Sequence, residues 1–141
     1  MDYKDGKWAK QIIQSQHDDG SWGYFHSLAN PSLRKAITTE QALRRLEILG
    51  FTKDDKPIKK AINYMHKCLC GEMELPDYKE KIHNWELFTE LMLGTWIRVF
   101  TEDDRMANGI VDKWAEIINS SFEKKHITIL SIWKNIKPFL E

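Results

Sequence analysis

Thr38-Thr39-Glu40-Gln41-Ala42-Leu43-Arg44-Arg45-Leu46-Glu47-Ile48-Leu49-Gly50, followed after three residues by Asp54-Asp55-Lys56-Pro57-Ile58-Lys59-Lys60-Ala61, is the stretch whose reading decides the fold. A threonine hydroxyl at Thr38 or Thr39 accepts from an orphan amide and opens a helix. Ala42, Leu43, Leu46 and Leu49 stripe it, and Gly50 ends it in a left-handed cap. Carboxylates before the first turn and a proline just inside it start the next helix. Ile58, Ala61, Ile62, Met65 and Leu69 give that helix a clean amphipathic pattern, with Lys59, Lys60, Asn63 and Lys67 on its wet face. Two helices joined by a short acidic turn make an antiparallel hairpin, and the same period governs most of the chain.

Upstream, a first helix is expected from about Asp5 to Gln16, with Trp8, Ala9, Ile12 and Ile13 on one face. A long turn-rich segment carrying Asp19-Gly20-Ser21-Trp22-Gly23 and Asn30-Pro31-Ser32 follows, of a length that points to a packed or functional loop. Downstream, Asn84 to Phe100 is apolar almost all round, which predicts an inner helix. Asp103-Asp104 opens a fifth helix striped by Ala107, Ile110, Val111, Trp114 and Ile118. A sixth is expected from about Thr128, carrying Ile129, Ile132, Trp133, Ile136 and Phe139. The fold class is all-α, built of antiparallel hairpins, and residues 1–141 read as one domain.

Composition limits the function classes. The chain has 141 residues, 42% hydrophobic and 30% charged, so it can bury a core and is not disordered by composition. Lys plus Arg is 21 and Asp plus Glu is 21, which gives no electrostatic drive toward nucleic acid or anionic membrane. No apolar run has the length of a membrane span, and Met1-Asp2-Tyr3-Lys4-Asp5 is too charged for a signal peptide. Cys68 and Cys70 make no disulfide framework, and a cytoplasmic setting is expected.

Gln16-His17-Asp18-Asp19-Gly20-Ser21-Trp22, with Ile12 four residues before the glutamine, resembles the QW-type repeat of terpene cyclases. The preceding aromatic position of that repeat is Gln11 here. The Thr39–Gly50 helix and the acidic-proline turn after it are similar to the helical unit of the prenyltransferase and squalene-cyclase α/α-toroid superfamily. The resemblance covers residues 5–70 well and 84–140 by helix pattern alone. It implies a partial toroid of about six helices, half of a full ring. Such a half is a piece of a longer chain, a partner for a second half-toroid or a second copy of itself, or a shortened open array. Pairing of halves is the favoured expectation. The resemblance also gives Gln16 and Trp22 a folding role, the amide packing on the indole while the glycine allows the tight turn.

The catalytic motifs of the superfamily are not matched. Thr52-Lys53-Asp54-Asp55 and Thr101-Glu102-Asp103-Asp104 each lack the first aspartate of the Asp-x-Asp-Asp acid, and both sit where helix caps belong. No Asp-Asp-x-x-Asp magnesium motif occurs. A prenyltransferase zinc pattern is absent; His66 and Cys70, four apart on one helical face, with Asp77 and His83 in the following loop, make a chemically possible zinc quartet, set against ordinary packing and surface roles. No nucleophile elbow or phosphate-cradling glycine loop is present. No cofactor is expected.

What remains is a non-catalytic module binding a hydrophobic or isoprenoid-like small molecule in an apolar concavity. Its candidate lining is Trp22, Tyr24, His26, Glu40, Arg44, His83, Trp85, Glu90 and Trp96, with Trp22, Tyr24 and Phe25 equally readable as filler between helices. Glu90, among Leu87, Leu91, Leu93 and Ile97, needs a partner, for which Arg44, Arg45 and Arg98 are the candidates. Two alternatives stand beside this. One is an enzyme using Glu90 with His83 or His26 on an apolar substrate. The other is a helical protein-interaction domain with Trp114 or Trp133 at its edge.

Overall fold

The computed structural model describes residues 2–27, 36–79, 84–123, 133–134 and 136–139. The described residues are all-α. After a 3-10 turn at Tyr3–Asp5 come α1 (Lys7–Gln14), α2 (Thr39–Ile48), α3 (Lys56–Leu69), α4 (Trp85–Phe100) and α5 (Arg105–Glu123), with a second 3-10 turn at Lys137–Phe139. Of the expected sixth helix, Trp133, Lys134 and Ile136 are helical. Thr128, Ile129 and Ile132 lie outside the described residues, as does the Asn30-Pro31-Ser32 turn. The chain divides into two compact units: residues 1–79 with 99–101, and residues 80–98 with 102–141.

In the first unit, helix ends follow their sequence signals. Thr38 and Gln41 form a reciprocal capping box, the Thr38 hydroxyl accepting from the Gln41 amide and the Gln41 side chain from the Thr38 amide. At the other end of α2, Gly50 adopts φ 87°, its amide donating to Glu47 O while the Phe51 amide donates to Leu46 O. This paired arrangement satisfies carbonyls the helix would otherwise orphan. Gly71 closes α3 the same way, with Gly71 N to Cys68 O and Glu72 N to Lys67 O.

Burial in this unit falls on Ala9, Ile12, Trp22, Phe25, Ala42, Leu43, Leu46, Phe51, Ile58, Ala61, Tyr64 and Met65. Each large side chain among them contributes about 1.5–3 kcal/mol relative to exposure. Two positions differ from the amphipathic reading. Tyr64, not Leu69, completes the buried line of α3, and burial pushes its hydroxyl well above the usual tyrosine range. Trp8, expected on the buried face of α1, is 72% exposed. The inward face of α1 is narrow, and Ala9 and Ile12 fill it.

In the second unit, α4 is capped by Asn84, whose side chain accepts from the Leu87 amide, and α5 by Asp104, which accepts from the Ala107 amide. Asp104 therefore does the capping expected of an acidic pair. Asp55 stands at the corresponding place before α3 but turns its carboxylate back to the Thr52 amide and the Lys4 ammonium. Met92, Leu93, Gly94, Trp96 and Ile97 of α4 are buried, while Phe88 and Val99 are exposed, so α4 is buried on one side rather than all round. A Cβ built at Gly94 would lie 3.1 Å from Cδ1 of Ile110, which marks a close approach of α4 and α5.

The α5 stripe is also corrected. Ala107, Ile110, Ile117 and Ser121 are buried, whereas Val111 and Ile118 are exposed. At about 100° per residue these are two apolar faces roughly 90° apart on one wide arc. Periodicity finds the arc; the Gly94–Ile110 approach decides which half goes inward.

Candidate functional site

The QW-like segment ties three elements of the first unit together. The side-chain amide of Gln16 donates to Gly20 O at 3.0 Å and to Pro57 O at 2.9 Å, joining the exit of α1 to the first turn of α3. Between them Asp19 Oδ1 accepts from the amide and hydroxyl of Ser21, and His17 N donates to Ser21 O, which fixes the turn. Gly20 has φ 98°, and any Cβ there would overlap the Lys60 carbonyl of α3. The indole of Trp22 donates to Ile12 O at 2.8 Å, and its backbone amide donates to Thr39 Oγ1 at 2.9 Å. These bonds fasten the exit of α1 and the turn after it to the starts of α2 and α3.

The aromatic loop continues this stitching. Tyr24 O and Phe25 O accept from the first amides of α2, Thr39 N and Glu40 N, at 2.9 and 3.0 Å. Asp77, buried, accepts from Phe25 N at 2.7 Å and from His26 N at 2.8 Å, one bond to each carboxylate oxygen. Glu40 Oε1 accepts from the Ser27 hydroxyl at 2.5 Å. Tyr24 and Tyr78 stack with centroids 5.9 Å apart, and hydrogen bonding to Tyr78 raises the Tyr24 hydroxyl above its ordinary pKa.

Trp22, Tyr24, His26 and Glu40 are thus gathered at the start of α2, with Trp22 buried, the other three half-buried and Arg44 exposed. Trp85, Glu90 and Trp96 belong to the other unit. There Trp85 lies against Phe88 with centroids 5.9 Å apart, and Trp96 is buried. The partner of Glu90 is Lys113, at 3.5 Å, and not an arginine; the carboxylate is a third exposed, which removes the buried-charge problem. Arg98 bonds instead to Asn108. His83 lies outside the described residues. Of the proposed zinc quartet, His66 is half-buried, Cys70 exposed and Asp77 committed to two amides. Among the described residues no three His, Cys, Asp or Glu side chains converge as metal ligands would.

The first unit does contain a concavity, in a different place. A groove of about 660 Å³ runs between α1 and α2. Its α1 wall is Trp8, Gln11, Ile12 and Ser15, its α2 wall Arg45, Ile48 and Leu49, and Ala36 and Ile37 close it. None of the described residues proposed from the sequence as cavity lining is among them. The signal was available: 8, 11, 12 and 15 share one helical face, as do 45, 48 and 49. Periodicity assigns Trp8 inward, because an apolar residue on an amphipathic helix reads as core in one dimension.

Searches with this chain against protein-family models, curated proteins and solved structures return no match. No helix among the described residues is long and apolar enough to cross a membrane.

Proposed function

We propose that this chain is a non-catalytic binding module, built on helical hairpins of the α/α-toroid kind that its QW-like segment resembles, and that the groove between α1 and α2 takes an apolar small molecule. The observation that carries this is the groove's size and lining together: about 660 Å³, within the range of organic-ligand sites, walled by Trp8 and Ile48. Those two side chains are 72% and 77% exposed. Covering about 150 Å² of their apolar surface would release roughly 4 kcal/mol before association costs are met. The motif residues Gln16 and Trp22 support the reading by acting as scaffold beside the groove rather than as reactants.

The test is titration of the full chain with N-phenyl-1-naphthylamine, a neutral fluorophore that brightens in apolar surroundings. Saturable brightening at one site per chain, weakened about tenfold or more by Trp8→Ala at unchanged melting temperature, is expected. Brightening that Trp8→Ala leaves intact places the ligand elsewhere and ends the assignment.

A second reading, association with another copy of this chain, is favoured by α5. Val111, Ile118 and Phe122, 38%, 46% and 51% exposed, form a line with Ala115 on one face of the helix. A continuous apolar face of this kind is self-complementary about a two-fold axis. Sedimentation equilibrium decides it: a dimer dissociated by Ile118→Glu supports the reading, and a concentration-independent monomer removes it.

A further inference from the structure

We infer that the ligand of the α1–α2 groove carries a single carboxylate and that the Arg45 guanidinium holds it; this rests on the binding reading above and adds the head-group chemistry. Among the described residues of the lining, Arg45 is the only charged one. Its own helix offers it no acid: Gln41 stands four residues before it, with its side-chain oxygen taken by the Thr38 amide, and Leu49 four residues after. The facing surface of α1 presents no carboxylate either, since its lining positions are Trp8, Gln11, Ile12 and Ser15. No ion pair of Arg45 occurs among the described residues, where Asp55 pairs with Lys4 and Glu90 with Lys113. The lining of an apolar groove therefore includes an exposed guanidinium, unpaired with any described acid, whose planar fork matches a carboxylate through two parallel hydrogen bonds. The Gln11 amide, also in the lining, supplies a further donor.

The charge count selects a carboxylate over a phosphate. Among the described lining residues nothing else adds positive charge. The N-terminus of α2 supplies none, because its first amides are already engaged: Thr39 N by Tyr24 O, Glu40 N by Phe25 O and Gln41 N by the Thr38 hydroxyl. A phosphate monoester would bring a second negative charge with no partner.

The experiment is displacement of N-phenyl-1-naphthylamine from the full chain at pH 7.5 by decanoate, decan-1-ol and decyl phosphate, all below their micellar concentrations. Decanoate is expected to displace the probe at about tenfold lower concentration than decan-1-ol, an advantage that Arg45→Gln abolishes and Arg45→Lys keeps in part. Equal potency of acid and alcohol, or an acid preference surviving Arg45→Gln, overturns the assignment while leaving the groove as a site for neutral ligands. Decyl phosphate outcompeting decanoate overturns the carboxylate. A loss of melting temperature in Arg45→Gln with the acid-to-alcohol ratio unchanged makes Arg45 a helix-terminal residue and also overturns it. If the probe itself does not bind, the binding reading fails first.

Discussion

Gln16 and Pro57, forty-one positions apart, are joined by one hydrogen bond of 2.9 Å from the glutamine amide to the proline carbonyl, and the same nitrogen also donates to Gly20 O. One side chain thereby fastens the exit of α1, the tight turn after it and the start of α3.

Removing those donors should destabilise the fold without touching the groove. Gln16→Ala is expected to cost about 1–3 kcal/mol, since two part-buried carbonyls lose a partner. Gln16→Glu tests the chemistry more sharply, because it keeps the shape, offers no donor at pH 7 and turns an anion toward two carbonyl oxygens. It should cost at least as much as alanine in urea unfolding followed by circular dichroism. A Gln16→Glu protein as stable as the parent rules out the donor role.

Gly20 and Gly50 both have positive φ, but only one is crowded. A Cβ at Gly50 meets nothing within 4 Å, whereas one at Gly20 overlaps the α3 backbone at Lys60. Gly50→Ala should therefore cost only the left-handed backbone strain, about 1–2 kcal/mol. Gly20→Ala should add an overpacking cost of about 1–3 kcal/mol. Equal melting temperatures for the two variants contradict the close approach of the turn to α3.

These two glycines also show what a single sequence makes legible. Gly50 announces itself locally, after a leucine-striped helix, and the capping box at Thr38 and Gln41 is equally local. Helix class and most helix ends follow from such short-range signals. Gly20 carries a long-range requirement, contact with Lys60, that one dimension cannot display; the QW-like spacing hinted at it through resemblance. The groove is illegible in the sequence for a related reason. Trp8 and Ile48 are apolar residues on amphipathic helices, and periodicity assigns such residues inward, whereas the surface they actually line depends on how α1 meets α2. Periodicity assigns Val111 and Ile118 inward on the same logic, on an arc too wide for one neighbour to cover.

The two cysteines sit two residues apart on different sides of the end of α3, and their reactivities should separate. Cys68 is half-buried, and burial raises its thiol pKa, with a hydrogen bond from Tyr64 acting the other way. Cys70 is exposed. With Cys68→Ser and Cys70→Ser each leaving one thiol, iodoacetamide at pH 8 should alkylate Cys70 about tenfold faster or more, and the rates should converge in urea. Equal native rates contradict the burial of Cys68.

Asp55 gives the chain a predictable acid response. Its pKa is lowered first by the hydrogen bond from Lys4, whose ammonium is 2.8 Å from Oδ2, and next by the Thr52 amide. A carboxyl whose folded pKa lies below its unfolded value of about 3.9 stabilises the fold fully above that pH. The contribution is lost as pH falls through the lowered folded value. Both side chains are partly exposed, so the pair contributes at most about 1 kcal/mol and weakens in salt. The stability difference between the parent and Asp55→Asn should be level from pH 5 to 8, shrink below pH 4, and be smaller in 1 M sodium chloride. Lys4→Met should cost more than the ion pair alone, because the same ammonium also lies 5.5 Å from the centroid of the Phe51 ring. A parent-to-Asp55→Asn difference that is the same at pH 3 as at pH 7 contradicts the ionised pairing of Asp55 with Lys4.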